Sequence, residues 1–332
     1  MTSNYTDACY TETDGILVKY YLPVMYSIIF IFGSVGNGVV LLGYLFCLKN
    51  WKSGNILLFN LSISDLSFLC TLPALTNHYT HNDQELNKYV CIINRFLLHS
   101  SLYTSILFLT IISIDRYMLI RYPFRQHILQ RKTSAIIVCI VIWTAVTLEL
   151  VPMFTFIIVP EANKTECLDY ASSGDAHSNL IYSLCLTLAG FIIPSSVMIF
   201  FYYKTAALLK HLQKENINTV KIEKPLSLLT LAIGILIVLF TPYHIMRNLF
   251  IVSRLETFKM PSCTSIAIKS MYIITRPVAF SNSAINPVLY FLMGDQFREL
   301  MLTKIRNAYR RMTAQHIEDS SGNGWGIGSA GT

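Results

Sequence analysis

The chain has 332 residues, of which 53% are hydrophobic and only 14% are charged, and its formal net charge at pH 7 is +7. Soluble domains usually contain about 25% charged residues, so this composition excludes an ordinary soluble domain and predicts a membrane protein. The sequence shows no cluster of metal ligands, no nucleophile triad and no phosphate-binding glycine loop. It therefore predicts neither an enzyme nor a bound cofactor.

Seven runs of the chain carry at most one Asp, Glu, Lys or Arg each and are long enough to cross a bilayer as helices. In chain order they cover residues 21–46, 54–76, 96–114, 133–160, 177–203, 225–246 and 271–294. The sequence therefore predicts an all-α membrane protein, a seven-transmembrane helix bundle over residues 21–294.

Shorter segments flank the predicted bundle. Residues 1–20 are predicted to form an extracellular N-terminal tail. Residues 295–312 repeat apolar positions at helical spacing among basic ones, which predicts an amphipathic helix on the inner membrane surface, in contact with membrane lipids. Residues 313–332 are rich in glycine and are predicted to form a disordered cytoplasmic tail.

The basic residues predict the orientation. Seventeen of the 26 lysines and arginines fall on the side of the C-terminus, which the positive-inside rule assigns to the cytoplasm. We therefore expect a multi-pass plasma-membrane protein with its N-terminus outside, and we assign the positive charge to the inner membrane surface rather than to a nucleic-acid partner. Glycosylation sequons at Asn4 and Asn163 then lie outside. Disulfides also persist on that side, and three pairings are possible for its four cysteines: Cys9, Cys91, Cys167 and Cys263.

Three arginines, Arg95, Arg247 and Arg276, fall at similar depth in the outer part of the third, sixth and seventh spans. An intramembrane arginine is costly unless it faces a wet cavity or a counter-ion, and the candidate acids near this depth are Glu149 and Asp175. The excess of arginines predicts an anionic ligand. Because guanidinium groups pair with carboxylates through two parallel bonds, a compact dianion is favoured. Neutral donors for the same ligand are Tyr26, Tyr79, His99 and His244.

A structural alternative applies to each of these residues. Some arginines would reach outward or pair with loop acids, and the histidines would only pack in the core. Asp65, which lies in mid-membrane, is either a functional acid or a structural carboxylate satisfied by polar neighbours. The Asp115-Arg116-Tyr117 triplet is either a switch or a local ion pair. Three later spans contain prolines that remove a helix hydrogen bond and predict hinges: Pro194, Pro242 and Pro287.

Together these landmarks resemble those of the rhodopsin-like (class A) G-protein-coupled receptors. The matching positions are Asn37, 61–65, Cys91, 115–117, Trp143, Pro194, Pro242 and 286–290. The resemblance implies a receptor that binds a heterotrimeric G protein inside the cell, with a sodium ion as a candidate near Asp65. It also implies an activation switch formed by Asp65, Asp115, Arg116, Tyr117, Phe240, Pro242, Asn286, Pro287 and Tyr290.

Two features resemble the purinergic-like branch of that class, whose members bind small anions. Phe240 stands where most of the class has tryptophan, and Cys9 with Cys263 suggests the second disulfide of the branch. We accordingly expect the pairs Cys9–Cys263 and Cys91–Cys167.

Further stretches, among them 45–51, 102–110 and 240–248, resemble receptors for succinate within this branch. This resemblance implies succinate or a similar dicarboxylate as the ligand, a Gi-class G protein as the main partner and a Gq-class protein as a second candidate. The alternatives are a receptor for 2-oxoglutarate or a nucleotide and, less favoured because the seven spans do not repeat, an organic-anion transporter. The implied pocket residues are Arg95, His99, Arg247, Arg276, Tyr26 and Tyr79.

Overall fold

A computed structural model describes residues 13–48, 51–80, 88–122, 127–157, 169–214 and 230–293, and positions 302, 303, 306, 307, 310 and 313. Within these ranges the regular structure is entirely helical. The long helices are α1 (Leu17–Phe46), α2 (Ser53–Thr80), α3 (Tyr89–Arg121), α4 (Lys132–Phe156), α5 (Ala176–Leu212), α6 (Thr230–Ser253), and α7 in two segments, Ser262–Phe280 and Asn282–Met293.

Six of these helices, α1 to α6, are long and apolar enough to cross a membrane. The seventh is interrupted at Ser281, and its outer segment carries Lys269 and Arg276, which make it more polar. The predicted seven-helix bundle is confirmed. The predicted surface helix over 295–312 falls mostly outside the described residues, although its few described positions are helical and exposed.

The helices pack as a closed bundle around α3. Helix α1 contacts α2 and α7, α2 contacts α3 and α4, α3 contacts α5, and α6 contacts α5 and α7. The Trp143 indole N–H on α4 donates to the Asn60 Oδ1 atom on α2 at 3.3 Å. In the most apolar 18-residue stretch of α3, 78% of the residues are buried, whereas in that of α4 only 28% are buried. Helix α3 is therefore the central helix, and the outward apolar faces of α1 and α4 suit contact with lipid.

Helix α1 begins with a π-turn at Leu17–Tyr21, before Pro23. Two further helices, α5 and α6, widen in one turn shortly before a proline that predicts a hinge. A π-turn spans Leu188–Ile192 in α5 before Pro194, and another spans Leu236–Phe240 in α6 before Pro242. A proline lacks the N–H group and its ring crowds the carbonyl one turn earlier, so the wider turn relieves both problems. The Thr241 hydroxyl donates to the Leu236 carbonyl at 3.0 Å and adds a second bond to the one from the Thr241 N–H. The irregularities of α5 and α6 lie where the sequence predicts hinges.

The contact between α1 and α7 is close enough to require a glycine. A Cβ atom on Gly36 would lie 2.7 Å from the Pro287 Cγ atom and 2.9 Å from its Cβ atom. Because a proline ring cannot move aside, we expect Gly36→Ala to destabilise the folded protein by about 1–3 kcal/mol. The melting temperature of the detergent-solubilised protein measures this loss. Gly38→Ala is the matched control, since its Cβ meets nothing within 4 Å; equal melting temperatures would contradict the prediction.

Candidate functional site

Two of the predicted arginines meet at one tyrosine. Arg276 Nη2 on α7 donates to the Tyr79 hydroxyl at 2.7 Å, and Arg95 Nη2 on α3 donates to the same oxygen at 3.4 Å. Arg276 Nε also donates to the Tyr26 hydroxyl on α1 at 3.2 Å. Both arginines are buried. The structure thus brings together four predicted pocket residues from four helices, and we call Arg95 and Arg276 the arginine pair.

The third arginine lies in a second group of contacts. Arg247 on α6 is fully buried, and it donates to the Tyr103 hydroxyl at 2.7 Å and to Thr187 Oγ1 at 2.8 Å. Its guanidinium carbon lies 5.4 Å from the ring centroid of Tyr243 and 5.9 Å from that of Tyr170, within range for cation–π attraction. None of these partners of Arg247 was predicted from the sequence. Tyr103 follows the predicted His99 by four residues on α3, a spacing that places both on one face and could have revealed it.

One acid lies between the two groups. Asp169 is 2% exposed, its Oδ1 atom is 3.9 Å from His99 Nε2, and its Oδ2 atom accepts a hydrogen bond from the Tyr272 hydroxyl. His99 is buried in turn, with Nδ1 2.8 Å from the Arg95 carbonyl oxygen and Nε2 3.4 Å from the Tyr243 hydroxyl. His99 therefore connects the arginine pair with the surroundings of Arg247.

Asp169 was not among the acids predicted at this depth, of which Asp175 lies outside the site and Glu149 lies beside the Arg247 group. Asp175 is exposed and caps α5, where its carboxylate accepts a hydrogen bond from the Ser178 N–H at 2.8 Å. Glu149 is on α4, and its Oε2 atom lies toward Gly190 on α5. Because a loop can fold inward, its distance along the chain from a helix does not predict its depth. Asp169 is drawn in by its contacts with α3 and α7.

The charge of Asp169 follows from its neighbours. Burial raises the pKa of its carboxyl, but His99, Arg95 and Arg276 and the Tyr272 hydrogen bond together lower it to about 2. Since this pKa lies below the ordinary 3.8, the charged form contributes stability above pH 3.8 and loses it only as the pH falls through about 2. At neutral pH the site thus holds three buried guanidinium groups, and the described acids at this depth are the buried Asp169 carboxylate and the half-buried Glu149, whose Oε2 atom is itself buried beyond Gly190.

His244 packs rather than donates. It is buried, its ring stacks on Phe191 at a centroid distance of 4.3 Å, and neither ring nitrogen has a hydrogen bond within the described part of the chain. Close by, a Cβ on Gly190 would lie 2.6 Å from the Tyr103 ring. The π-turn of α5 thus places Gly190, which has no side chain, against Tyr103, the tyrosine that accepts a hydrogen bond from Arg247.

A polar network lies below this site. Asn286 Nδ2 donates to Asp65 Oδ2 at 2.8 Å, Ser101 Oγ donates to Asp65 Oδ1 at 3.3 Å, and Asn37 Nδ2 donates to the Ser283 carbonyl at 2.7 Å. All five residues are buried. These hydrogen bonds fit the structural alternative for Asp65, in which polar neighbours satisfy its carboxylate. A carboxylate, hydroxyls and the Asn286 Oδ1 atom, which has no partner among the described residues, are donors that a hard cation such as sodium prefers. Sodium binding there stays a prediction.

The inner end of α3 carries the predicted ion pair. Arg116 Nη2 lies 3.7 Å from Asp115 Oδ2, and His127, which the sequence analysis did not name, places Nε2 3.9 Å from Asp115 Oδ1. The ring of Tyr117 contacts Phe201 on α5 edge to face at 5.4 Å. Asp115 thus has two cationic candidates as partners. Of the other predicted switch residues, Phe240 is buried, whereas the Tyr290 side chain lies outside the described part.

Several outer positions stay predictions. Cys91 is disulfide-bonded, but Cys9 and Cys167 lie outside the described residues, so neither expected pairing is tested. The sequons at Asn4 and Asn163 also lie outside these ranges.

The profile of the family described as "7 transmembrane receptor (rhodopsin family)" matches residues 36–290. The chain belongs to the rhodopsin family of seven-transmembrane receptors. It is 53% identical over 315 residues to succinate receptor 1 of Mus musculus, covering 95% of this chain and 99% of that protein. It is 33% identical to a purinoceptor of Homo sapiens (89% and 80% covered) and to 2-oxoglutarate receptor 1 of Rattus norvegicus (86% and 84% covered). The receptor is thus a multi-pass membrane protein and not an enzyme, and its resemblance to the purinergic-like branch is confirmed.

Proposed function

We propose that this receptor binds extracellular succinate in the arginine site of the outer bundle. The observation that carries the proposal is the burial of three arginines, Arg95, Arg247 and Arg276, in the outer bundle, where the described acids are only the buried Asp169 and the half-buried Glu149. A buried cation without an equal counter-charge is costly, so the site favours a ligand that brings negative charge. The succinate receptors at 53% and 52% identity support succinate as that ligand.

The arrangement suits a molecule with two carboxylates. One carboxylate would accept from the arginine pair and take the place of the neutral Tyr79 oxygen, because a charged acceptor binds guanidinium more strongly than a hydroxyl does. The other would lie on the far side of His99, where Arg247 packs over Tyr243. A monocarboxylate would leave one group of donors unmatched. Such a site discriminates strongly, since unmatched buried polar groups are expensive.

The proposed signal passes from this site to the inner face of the bundle. We infer that the ligand draws the outer parts of α3, α6 and α7 together, and that α6 pivots at the π-turn before Pro242. Arg116 then leaves Asp115 and contacts a heterotrimeric G protein, with the Gi class as the main partner and the Gq class as a second candidate. The ligand drives this change only if it binds the active arrangement more tightly. The N-terminus lies outside and the C-terminus inside in this proposal.

The test is a dose–response series in transfected cells, with cAMP inhibition and calcium release as readouts. Succinate is compared with 2-oxoglutarate, butyrate as a monocarboxylate, and ADP. We expect a response to succinate at the lowest concentration and none to butyrate. A response to 2-oxoglutarate alone or to ADP alone would show that this compound, and not succinate, is the ligand, in keeping with the two relatives at 33% identity. Silence to all four with receptor at the surface would lead to anion-flux measurements in vesicles.

A further inference from the structure

A tight turn at residues 169–174 covers the site, and we call it the lid turn. Its inner end, Asp169, is 2% exposed, whereas Gly174 at its outer end is exposed. The N–H groups of Ser172 and Ser173 both donate to the Asp169 carbonyl, at 2.8 and 3.1 Å. Gly174 has a φ of 63°, in the left-handed region that glycine adopts without strain. These bonds tie the position of Asp169 to that of the whole turn.

A residue at the outer end of α6 binds the outer half of the lid turn. Arg254 directly follows α6, and its guanidinium donates to three carbonyls: Ala171 at 2.8 Å, Gly174 at 3.0 Å and Ser173 at 3.4 Å. A guanidinium presents several donors in one fixed plane, so it can hold adjacent carbonyls of a turn together. The contact joins the loop to a helix that is far away in sequence.

The same helix also supplies an arginine to the site itself. Arg254 follows Arg247 by seven residues, which is about two helical turns and about 10.5 Å of rise, on nearly the same face. Helix α6 therefore holds the site with one arginine and the lid turn with another. We propose that Arg254 is a specificity-determining positioning residue, which keeps the lid turn, and with it the Asp169 carboxylate, in place so that the site accepts only compact dianions.

The physical reason is that Asp169 limits both charge and space. In its present position it lies beside His99 and offsets part of the charge of the arginine pair. If the lid turn is released, Asp169 leaves this position, and the uncovered arginines gain room and a stronger positive field. Loss of Arg254 should thus broaden the range of dicarboxylates rather than weaken all of them equally. This inference rests on the proposed function, since it concerns selection among dicarboxylates.

The test compares succinate with glutarate, which is one methylene longer, on the wild-type receptor and on Arg254→Gln. We expect the ratio of the glutarate to the succinate half-maximal concentration to fall about tenfold or more, the factor that corresponds to losing one hydrogen bond of a charged group. The ratio for Arg254→Lys should lie between those of the wild type and Arg254→Gln, because an ammonium group can still donate to a carbonyl. Lys259→Gln, which removes an exposed cation just beyond α6, is the control and should leave the ratio unchanged. If Arg254→Gln changes the half-maximal concentrations of succinate and glutarate by the same factor, the proposal is overturned.

A second comparison connects Arg254 to Asp169. In an Asp169→Asn background, Arg254→Gln should change the ratio less than it does in the wild type, because the charge it positions is gone and only the steric part is left; fully additive effects would refute the coupling. Hydrogen exchange separates this inference from the proposed function. Without any ligand, Arg254→Gln should speed amide exchange in peptides that cover 169–175, and unchanged exchange would refute the anchor. A wild-type receptor silent to succinate would instead refute the proposed function.

Discussion

Replacement of Arg276 by alanine is expected to abolish the succinate response while the receptor remains at the cell surface. Arg276 contributes two donors to the site, toward Tyr26 and Tyr79, and it is buried. Losing one partner of a buried charged pair costs about 2–5 kcal/mol, so the half-maximal succinate concentration should rise about 30-fold or more. A cAMP-inhibition curve, with surface receptor counted by an antibody to an N-terminal tag, measures the change.

Two control variants interpret that result. Arg276→Lys retains the positive charge but not the parallel donors, so it should still impair the response strongly if two-bond pairing matters. Lys259→Ala removes an exposed cation from the outer surface and should leave the curve unchanged. A normal succinate curve in Arg276→Ala would remove the arginine pair from the binding site.

The second large effect is expected at Asp169. Asp169→Asn retains the shape of the side chain but removes the negative charge beside His99 and the arginine pair. Like charges then face each other without compensation, and we expect the melting temperature of the purified receptor without ligand to fall by about 5 °C or more. Added succinate supplies the missing charge, so its stabilising shift should become larger than in the wild type.

These opposite changes distinguish an electrostatic role from a general weakening of the fold. Asp175→Asn is the matched control, because asparagine caps a helix as well as aspartate and Asp175 lies outside the site. A variant that loses stability with and without succinate by the same amount would show that Asp169 only supports the loop.

The parts of the site that lie on regular helices could be predicted from the sequence. Arg95 and Arg276 lie on helices, so residue spacing gives their depth, and the structure brings them together at Tyr79. Tyr79 follows the predicted second span, and only the family resemblance implied that it lines the pocket. Asp169 could not be predicted, because it lies in a loop whose depth depends on contacts with Tyr272 and His99. Local patterns describe helices, whereas a loop position results from the packed whole.

The kinks were predicted only in part. Pro194 and Pro242 indicate that α5 and α6 deviate, but not that a π-turn precedes each proline. A proline is compatible with a bend, a break or a wider turn, and the neighbouring helices decide among them. The histidine beside Asp115 was missed for the same reason as Asp169, since His127 also belongs to a connection rather than to a helix.

The π-turn of α6 has a consequence for the register of that helix. The Thr241 N–H bonds to the carbonyl of Leu236, five residues back instead of four, so one residue is added to the turn. Since each residue of an α-helix rotates the chain by about 100°, everything beyond the turn is rephased by about that angle relative to the inner half. Arg247 points inward in this shifted phase. Deleting a single residue from 236–240 would leave the composition of α6 almost unchanged, yet it would turn Arg247 toward the lipid.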